Sequence, residues 1–369
     1  MDDTANQGRN VSSRILSIDA LRGFDMFWII GGDALFQAIG KRMGWPVLVE
    51  QTEHVSWEGF RFYDLIFPLF LFIVGVVLPY SLAKYRGKPE GQKAAYKRIF
   101  RRSGLLIMLG IVYWGNLQHG IQEFRWLGVL QRIGICYFFA ALAVLLLDIR
   151  SLVFLWVGLL LGYWALLAWI PASGFAAGDF TMEGNLVGYV DRLLVPGKFC
   201  CYPFGDNEGL LSTIPAIGTT LLGALTGHWL RAKRSSNAKL MGLLAGAAFC
   251  LTVGWVWGHF FPIIKNLWTS SYVFIAGGYS LLLFAFFYYF IDILGWKHWT
   301  FFFVVIGMNP ITIYFLQQFV DFDRMSRFFL SGFSRFSPTF EQVILLLGAL
   351  VAKWLLLLYL YRKGTFLRV

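Results

Sequence analysis

His54 is the side chain of this sequence best suited to acid and base chemistry. It lies in the segment TEHVSWEGFRFYDLIF, which leads into a strongly apolar stretch. The unperturbed pKa of a histidine suits it to take a proton from an amine or a hydroxyl near neutral pH. Carboxylates in the region are candidates to orient its imidazole, as the acid does in an acyl-transfer triad: Asp33, Glu53, Glu58 and Asp64. Asp64 has a structural alternative, because a carboxylate at a helix start can satisfy the helix terminus or an arginine.

A second group of ionisable residues lies in the apolar segment RILSIDALRGFDMFWIIGGDALF: Asp19, Arg22, Asp25 and Asp33. An ionisable group inside a membrane is costly unless it is paired or wetted, so each of them is a functional candidate. In a straight helix Asp33 lies about 20° from Arg22 and about 40° from Asp19, which gives one polar stripe. A salt bridge of Arg22 with Asp19 or Asp25, together with helix packing, accounts for Asp25 but not for Asp33. Gly31 and Gly32 let another group approach the backbone, which favours a lined cavity beside Asp33.

The composition places these residues in a membrane protein. Of 369 residues, 57% are hydrophobic and only 14% are charged, whereas a soluble domain has about 25% charged residues. The apolar runs predict an all-α polytopic bundle with about ten transmembrane helices. The predicted spans are 15–39, 63–83, 103–118, 127–147, 151–170, 210–230, 240–261, 271–293, 299–319 and 340–361. We find no internal repeat and no cleavable signal peptide, so we expect one domain over residues 1–369 and a retained first helix.

The net charge of +11 lies between the predicted spans rather than in a nucleic-acid-binding patch. Eight Lys or Arg residues fall between Lys84 and Arg102, and smaller clusters stand at 231–239 and 362–368. The positive-inside rule places these segments and both termini in the cytoplasm. Residues 40–62, 118–126, 171–209, 262–270 and 320–339 are then on the outer side. His54 falls in the first of these segments, and Asp33 falls near the outer end of the first span.

The other histidines and the cysteines carry weaker signals. His119, His228, His259 and His298 are expected in core or interfacial roles. The cysteines show no metal-ligand spacing, and we predict no metal site. Because adjacent cysteines strain to bridge each other, Cys200 and Cys201 are expected to stay unpaired and are assigned no role.

Six motifs in order resemble the lysosomal heparan-sulfate glucosamine N-acetyltransferases and their bacterial homologues in the transmembrane acyltransferase superfamily. They are RILSIDALRGFDM, HVSWEGFRFYDLIFPLFLFIVG, RWLGVLQRIGICYF, FGDNEGLLSTIPAIGTTLLGALTGHWL, IKNLWTSSYVFIAGG and GMNPITIYF. The resemblance implies transfer of acetyl from cytosolic acetyl-CoA to an amino sugar outside, with the histidine of H-x-S-W-x-G, His54 here, as the catalytic residue. Where the lysosomal enzymes have an asparagine opposite this histidine, this chain has Asp33. Asp33 is then a second base, an orienter of His54 or a binder of the amine.

The resemblance also directs the substrate predictions. The sequence lacks the large luminal N-terminal domain of the lysosomal members, so we expect a bacterial amino sugar or cell-wall fragment as acceptor and the bacterial inner membrane as location. Arg22, or basic residues of 84–102, are predicted to bind the donor phosphates. The remaining predicted donor-site residues are Asp19, Arg132, Gln131 and Asn309; Asn309 is either an oxyanion donor or only the site of a helix kink. The predicted acceptor-site residues are Trp57, Glu58 and Asp64.

Three points stay open at this stage. The acetyl group passes directly to the amine or rests first on His54 as an acyl-imidazole. An O-acetyltransferase of a surface polysaccharide and a transporter of amino sugars or muropeptides are the alternative functions, although transporters commonly show inverted repeats that are not visible here. The oligomeric state is undetermined, with a homodimer as one candidate.

Overall fold

The structure, a computed structural model, describes residues 15–85, 89–115 and 123–366. Arg86, Lys88, His119 and Arg368 lie outside the described residues. The helices are α1 (Leu16–Phe27), α2 (Asp33–Met43), α3 (Pro46–Gln51), α4 (Ile66–Leu82), α5 (Pro89–Tyr113), α6 (Val129–Leu146), α7 (Ile149–Trp169), α8 (Leu186–Leu194), α9 (Thr213–Arg231), α10 (Ser236–Gly258), α11 (Ser270–Tyr288), α12 (Thr300–Gly307), α13 (Pro310–Leu316), α14 (Phe322–Ser334) and α15 (Glu341–Arg362). Within the described residues, strands occur only in the short hairpin of β1 (Cys201–Tyr202) and β2 (Gly205–Asp206).

The all-α polytopic prediction is confirmed. Among the described residues, six helical segments are long and apolar enough to cross a membrane: Phe62–Tyr85, Val129–Leu146, Ile149–Trp169, Ser236–Gly258, Ser270–Ile293 and Pro338–Arg362. The other four predicted spans coincide with α1 and α2, α5, α9, and α12 and α13. Their crossing of the membrane, and with it the count of ten, stays a prediction.

Close backbone approach holds α4 against α9 in the centre of the bundle. A Cβ atom at Gly75 would stand 1.9 Å from the carbonyl oxygen of Thr220, and one at Gly223 would stand 2.0 Å from that of Phe72. Small residues permit such contacts, which supply the van der Waals packing that associates helices in a membrane. The face of α4 that remains is free to line cavities.

The first span is bent rather than straight. A π-helical turn at Trp28–Gly32 joins α1 to α2, and Gly31 adopts a left-handed φ of 125°. The Lys353 ammonium donates to the carbonyl oxygen of Ile30 at 2.6 Å and to Gln317 Oε1 at 3.3 Å. Lys353 therefore stabilises the bend. The straight polar stripe from Arg22 to Asp33 was a wrong expectation, because the bend and the π turn change the helical phase between them.

Several segments expected to be loops contain helices. Most of the basic segment 84–102 belongs to α5, whose Ala, Lys, Arg and Gln residues favour helix. Residues 171–209 contain α8, and residues 320–339 contain α14, which exposes Phe328, Phe329 and Phe333. The predicted span 299–319 is broken at Asn309, where Pro310 begins α13. The break agrees with the kink alternative for Asn309.

Candidate active site

The loop after α3 is fixed to the segment before α11 by the residues of the H-x-S-W-x-G motif. Gly59, at a φ of 123°, donates its N–H to the carbonyl oxygen of Ile263 at 2.8 Å. Glu58 and Ile264 form an antiparallel bridge. The Trp57 indole donates to the carbonyl oxygen of Phe180 at 2.8 Å. These contacts bring the residues that follow Ile264 next to His54.

Asp64, rather than Asp33, orients His54. The imidazole Nδ1 lies 2.8 Å from Asp64 Oδ1, and the Asp64 side chain is fully buried, whereas that of His54 is 50% exposed. Asp64 Oδ2 accepts the N–H groups of Val55 and Arg61. An Nδ1–H donated to the carboxylate leaves Nε2 with its lone pair, as a base requires. The Asp64 oxygens are thus occupied by the protein, which does not fit its prediction as an acceptor-binding residue.

Lys265 completes this cluster and was missed in the sequence. Its ammonium lies 3.3 Å from Asp64 Oδ1, 2.9 Å from His54 Nδ1 and 3.2 Å from His54 Nε2. Burial lowers the pKa of Lys265, and the charge and hydrogen bond of Asp64 oppose this shift in part. A cation, an imidazole and a carboxylate therefore meet at one point. We call His54, Asp64 and Lys265 the outer triad.

The outer triad borders a cavity of about 320 Å³. The further residues around this outer cavity are Ile29, Val55, Ser56, Tyr63, Ile66, Phe67, Val129, Cys201, Asn207, Glu208, Asn266 and Tyr314. The Tyr63 ring stacks on the imidazole of His54 with 4.7 Å between centroids. Its hydroxyl forms a side-chain hydrogen bond with Asp33. Tyr63 therefore connects Asp33 to His54.

A buried cluster of charges supports the far side of the outer cavity. Arg125 binds Asp206 Oδ1 at 3.0 Å and Glu208 Oε2 at 2.8 Å. Burial and the neighbouring Asp206 charge raise the pKa of Glu208. Although burial acts to raise the pKa of Asp206 as well, the hydrogen bond and charge of Arg125 hold it below its usual value. The contact with Arg125 thus holds the carboxyl group of Glu208 at the edge of the cavity.

Cys200 and Cys201 form a disulfide, contrary to the expectation that they stay unpaired. Cys201 adopts a φ of 84°, which the strand pair that follows accommodates. The pairing expectation was wrong because a left-handed residue allows the two adjacent side chains to meet. Cys201 also lines the outer cavity, so the pair lies at the candidate site.

A second cavity, of about 300 Å³, lies toward the other ends of the same helices. Arg22, Arg98 and Arg102 lie at its wall beside Ser81, and the remaining lining residues are apolar. Arg98 and Arg102 also border an open basin of about 740 Å³ that carries Lys97 and Arg101. This inner cavity is thus apolar within and strongly basic at its mouth, which suits a ligand with a phosphate group and an apolar or amide tail.

The two cavities follow the same faces of the helices that line them. On α4 the outer cavity is lined by Ile66 and Phe67, and the inner cavity by residues on the turns that follow: Phe70, Ile73, Val74 and Val77. On α6 Val129 and Ile133 are one turn apart, and on α13 Tyr314 and Ile311 are likewise neighbours. Residues three or four apart share one helix face. The cavities therefore lie along one axis through the bundle.

The other predicted donor-site residues are distributed as follows. Arg22 pairs with Asp19 at 3.3 Å and donates to the carbonyl oxygen of Gly307. Asp25, expected to pair with Arg22, is fully buried, and its carboxylate oxygens have no hydrogen-bond partner among the described residues. Of the two partners expected for Arg22, the structure shows the ion pair with Asp19.

Arg132, Gln131 and Asn309 do not line either cavity. Arg132 is buried, donates to the Gly209 carbonyl and the Ser212 hydroxyl, and stacks over Trp268. Gln131 is also buried. The Asn309 amide donates to the carbonyl oxygen of Thr365 at 3.1 Å, near the C-terminal end of the described chain. These contacts are structural, and they leave the oxyanion role of Asn309 without geometric support.

The residues missed in the sequence stand inside the motifs that were recognised. Lys265 is the second residue of IKNLWTSSYV, Glu208 lies in FGDNEGLL, and Tyr63 follows H-x-S-W-x-G. A lysine beside a predicted helix end is commonly a topology charge. The available signal was that Lys265 is the only basic residue of the short segment 262–270, which was predicted to lie on the outer side. Within the described residues, no group of three or more His, Cys, Asp or Glu side chains is arranged to hold a metal ion.

Comparison with known proteins adds independent information. A family model described as "Heparan-alpha-glucosaminide N-acetyltransferase, catalytic" matches residues 14–255, which is more than half of the chain. The heparan-alpha-glucosaminide N-acetyltransferase of Homo sapiens is 27% identical over 416 residues, covering 96% of this chain and 60% of that protein. The Mus musculus protein of the same name is 27% identical over 365 residues, covering 83% of this chain and 53% of that protein. The chain thus spans 60% or less of the length of these curated relatives.

Proposed function

Because the chain belongs to the heparan-alpha-glucosaminide N-acetyltransferase catalytic family, we propose that it transfers acetyl from cytosolic acetyl-CoA to the amine of an amino sugar on the opposite side of a membrane. The observation that carries the proposal is the position of the outer triad at one end of an axis whose other end is the basic inner cavity. An enzyme with a soluble donor on one side and an acceptor on the other needs such an arrangement.

At the outer end, His54 Nε2 takes the proton of the attacking amine. Asp64 holds the imidazole by its Nδ1–H and stabilises the imidazolium that forms, which is the role of the acid in an acyl-transfer triad. The Lys265 ammonium stabilises the negative charge that develops on the thioester oxygen, because a fixed cation in a partly buried site acts strongly on a developing charge. Collapse of the tetrahedral centre forms the amide and expels the CoA thiolate.

At the inner end, Arg22, Arg98 and Arg102 bind the phosphates of the donor. Arginines form bidentate, charge-assisted hydrogen bonds with phosphate oxygens. The apolar lining between this mouth and Phe67 accommodates the pantetheine arm, so that the thioester reaches His54. The membrane orientation follows from the same charges, with α5 at the cytoplasmic face of a bacterial inner membrane. The Cys200–Cys201 disulfide supports an oxidising compartment on the outer side.

The acceptor amine arrives largely as an ammonium ion near neutral pH. Glu208 and Asn207 face the outer cavity, and a carboxylate is the natural partner for that ammonium before His54 removes its proton. We assign these two residues to acceptor binding in place of Trp57, Glu58 and Asp64, whose contacts hold the loop and the imidazole.

Purified protein, radiolabelled acetyl-CoA and a panel of acceptors test the proposal. We expect label in glucosamine and in amino-sugar cell-wall fragments, and none in N-acetylglucosamine, whose amine is already blocked. Label in hydroxyl-only saccharides would instead identify an O-acetyltransferase. Incubation with acetyl-CoA alone, followed by rapid denaturation, distinguishes transfer through His54 from direct transfer. Acetyl bound to His54 identifies an acyl-imidazole, and its absence identifies direct transfer.

A further inference from the structure

The Cys200–Cys201 disulfide lies where it can control the acceptor side of the outer cavity. Cys201 is exposed and lines the cavity together with Asn207 and Glu208. Its φ of 84° falls in the left-handed region, which is costly for a residue with a side chain. Closure of the disulfide between neighbouring residues restrains the backbone there, because the two side chains must meet.

A short chain of hydrogen bonds connects the disulfide to the residues that face the acceptor. The Cys200 N–H donates to Asp206 Oδ2 at 2.9 Å, and the Glu208 N–H donates to Asp206 Oδ1 at 2.9 Å. Cys201 pairs with Asp206 across the hairpin. The Asp206 carboxylate also accepts two hydrogen bonds from the Arg125 guanidinium, which hold it in place. Asp206 thus joins the disulfide directly to the main chain of Glu208.

We propose that the Cys200–Cys201 disulfide is a positioning element for the acceptor, and that only its oxidised form holds Asn207 and Glu208 at the outer cavity. The inference rests on the proposed function, since it concerns the amino sugar that this cavity receives. Reduction by a dithiol transfers two electrons and two protons, breaks the S–S bond, leaves two thiols and converts the dithiol to its own disulfide. Cys201 then leaves the left-handed conformation and the hairpin loosens.

The consequence is a split between the two substrates. The donor binds at the inner cavity, to which neither cysteine contributes, so its affinity stays the same. The acceptor loses the fixed position of Glu208, so its KM rises by about tenfold, the size expected when one charged contact is lost. Cys136 and Cys250 are buried thiols elsewhere in the bundle and are unchanged by reduction.

Acetyl transfer to glucosamine, measured with the full chain before and after dithiothreitol treatment, tests the inference. Alkylation and mass spectrometry record the state of the disulfide. We expect reduction to raise the KM for glucosamine and leave the KM for acetyl-CoA unchanged, with recovery on reoxidation. Absence of transfer in the oxidised protein would overturn the proposed function. Transfer with an equal acceptor KM in both redox states would overturn only the role of the disulfide.

Two variants without the disulfide test whether the backbone conformation at position 201 positions the acceptor-binding residues. Cys200→Ser/Cys201→Ser removes the bond and leaves a side chain at the left-handed position, so it is expected to behave like the reduced protein and to ignore dithiothreitol. Cys200→Ser/Cys201→Gly also lacks the bond, but glycine adopts a φ of this sign without penalty. We expect the glycine variant to regain part of the acceptor affinity. A glycine variant no better than the serine variant would contradict positioning, and the dithiothreitol result stands even where a variant fails to fold.

Discussion

The outer and inner cavities of this bundle are built in different ways. The outer cavity is formed largely by connecting segments, and its polar side chains hold one another: Asp64 binds His54, Lys265 binds both, and Arg125 binds Asp206 and Glu208. The inner cavity is formed mainly by helix faces, with apolar walls and arginines at the mouth. Preorganised polar contacts favour chemistry, whereas a basic mouth above an apolar channel favours binding of a long anionic ligand. The comparison predicts that changes outside affect turnover and changes inside affect donor affinity.

The largest effect is expected from His54→Ala. Loss of the general base should lower turnover by about 10² to 10⁴-fold and leave acetyl-CoA affinity unchanged. His259→Ala is the matched control, because His259 is also an exposed histidine on the predicted outer side, and within the described residues its imidazole bonds to the Trp255 carbonyl alone. Steady-state transfer assays at saturating donor and acceptor measure the effect. Near-normal turnover of the His54 variant would remove the distinction between the two cavities.

Asp64→Asn and Asp33→Asn compare two carboxylates. That of Asp64 bonds the imidazole of His54 directly, and that of Asp33 bonds Tyr63, which stacks on the imidazole. Asp64→Asn should lower turnover by about 10²-fold or more, since it withdraws the charge that faces the imidazolium and Lys265. Asp33→Asn should cost less than about tenfold, because it changes a hydrogen bond to Tyr63 rather than a contact with the imidazole. The His54→Ala/Asp64→Asn double variant should be scarcely worse than His54→Ala. A larger loss for Asp33→Asn than for Asp64→Asn would make Asp33 the base.

Arg22→Ala probes the inner cavity. Removal of one charged hydrogen bond typically costs about 1.5–3 kcal/mol, so acetyl-CoA affinity should fall more than tenfold while the acceptor KM stays the same. Lys93→Ala is the control, since Lys93 is an exposed cation of α5 that lines neither cavity. Titration calorimetry with acetyl-CoA measures the affinity, and thermal unfolding verifies the fold. If the folded Arg22 variant bound acetyl-CoA with unchanged affinity, Arg22 would not bind the phosphates, and the phosphate site would consist of Arg98 and Arg102.

The smallest effect concerns pH and stability. Burial raises the pKa of Asp191 to about 6, although the N–H groups of Leu210 and Asp206 oppose the shift. A carboxyl group with a raised folded-state pKa contributes stability that is present below its unfolded value of about 4 and is lost as pH rises through the folded value. Between pH 4 and pH 7 the wild type should therefore lose Tm relative to Asp191→Asn, whose amide does not ionise. Parallel Tm curves over this range would contradict the assignment.

Much of the fold could be predicted from the sequence, because the long apolar runs indicate membrane helices and the basic clusters indicate the segments between them. Where the structure describes them, the ten predicted spans coincide with helices, and His54 and Arg22 each line a cavity. Local periodicity predicts a straight helix, however, and the bend at Gly31 depends on Lys353, which is more than three hundred residues away in the chain. The direction of Asp33 around the helix axis, relative to Arg22, could therefore not be predicted from the local pattern alone.

The partner of His54 was predicted less well than His54 itself. Four carboxylates stood within reach in sequence, and the choice of Asp64 depends on how the loop after α3 folds back on the 3-10 turn at Phe62–Leu65. Lys265 comes from a segment 211 residues further along the chain, and the bridge between Glu58 and Ile264 and the hydrogen bond from Gly59 to Ile263 bring it there. Contacts of this kind are set by tertiary packing, which neither composition nor spacing encodes.

Transfer across a sealed membrane tests the central claim most directly. The Lys93→Cys protein is reconstituted in proteoliposomes. Labelling of the introduced reporter thiol with an impermeant reagent then identifies the molecules whose α5 faces the bath. With acetyl-CoA in the bath and glucosamine enclosed, these molecules should form N-acetylglucosamine inside the vesicles. Transfer that requires donor and acceptor on the same side, or a reporter that is labelled from outside in intact cells, would contradict an axis that joins a cytoplasmic donor cavity to the outer triad.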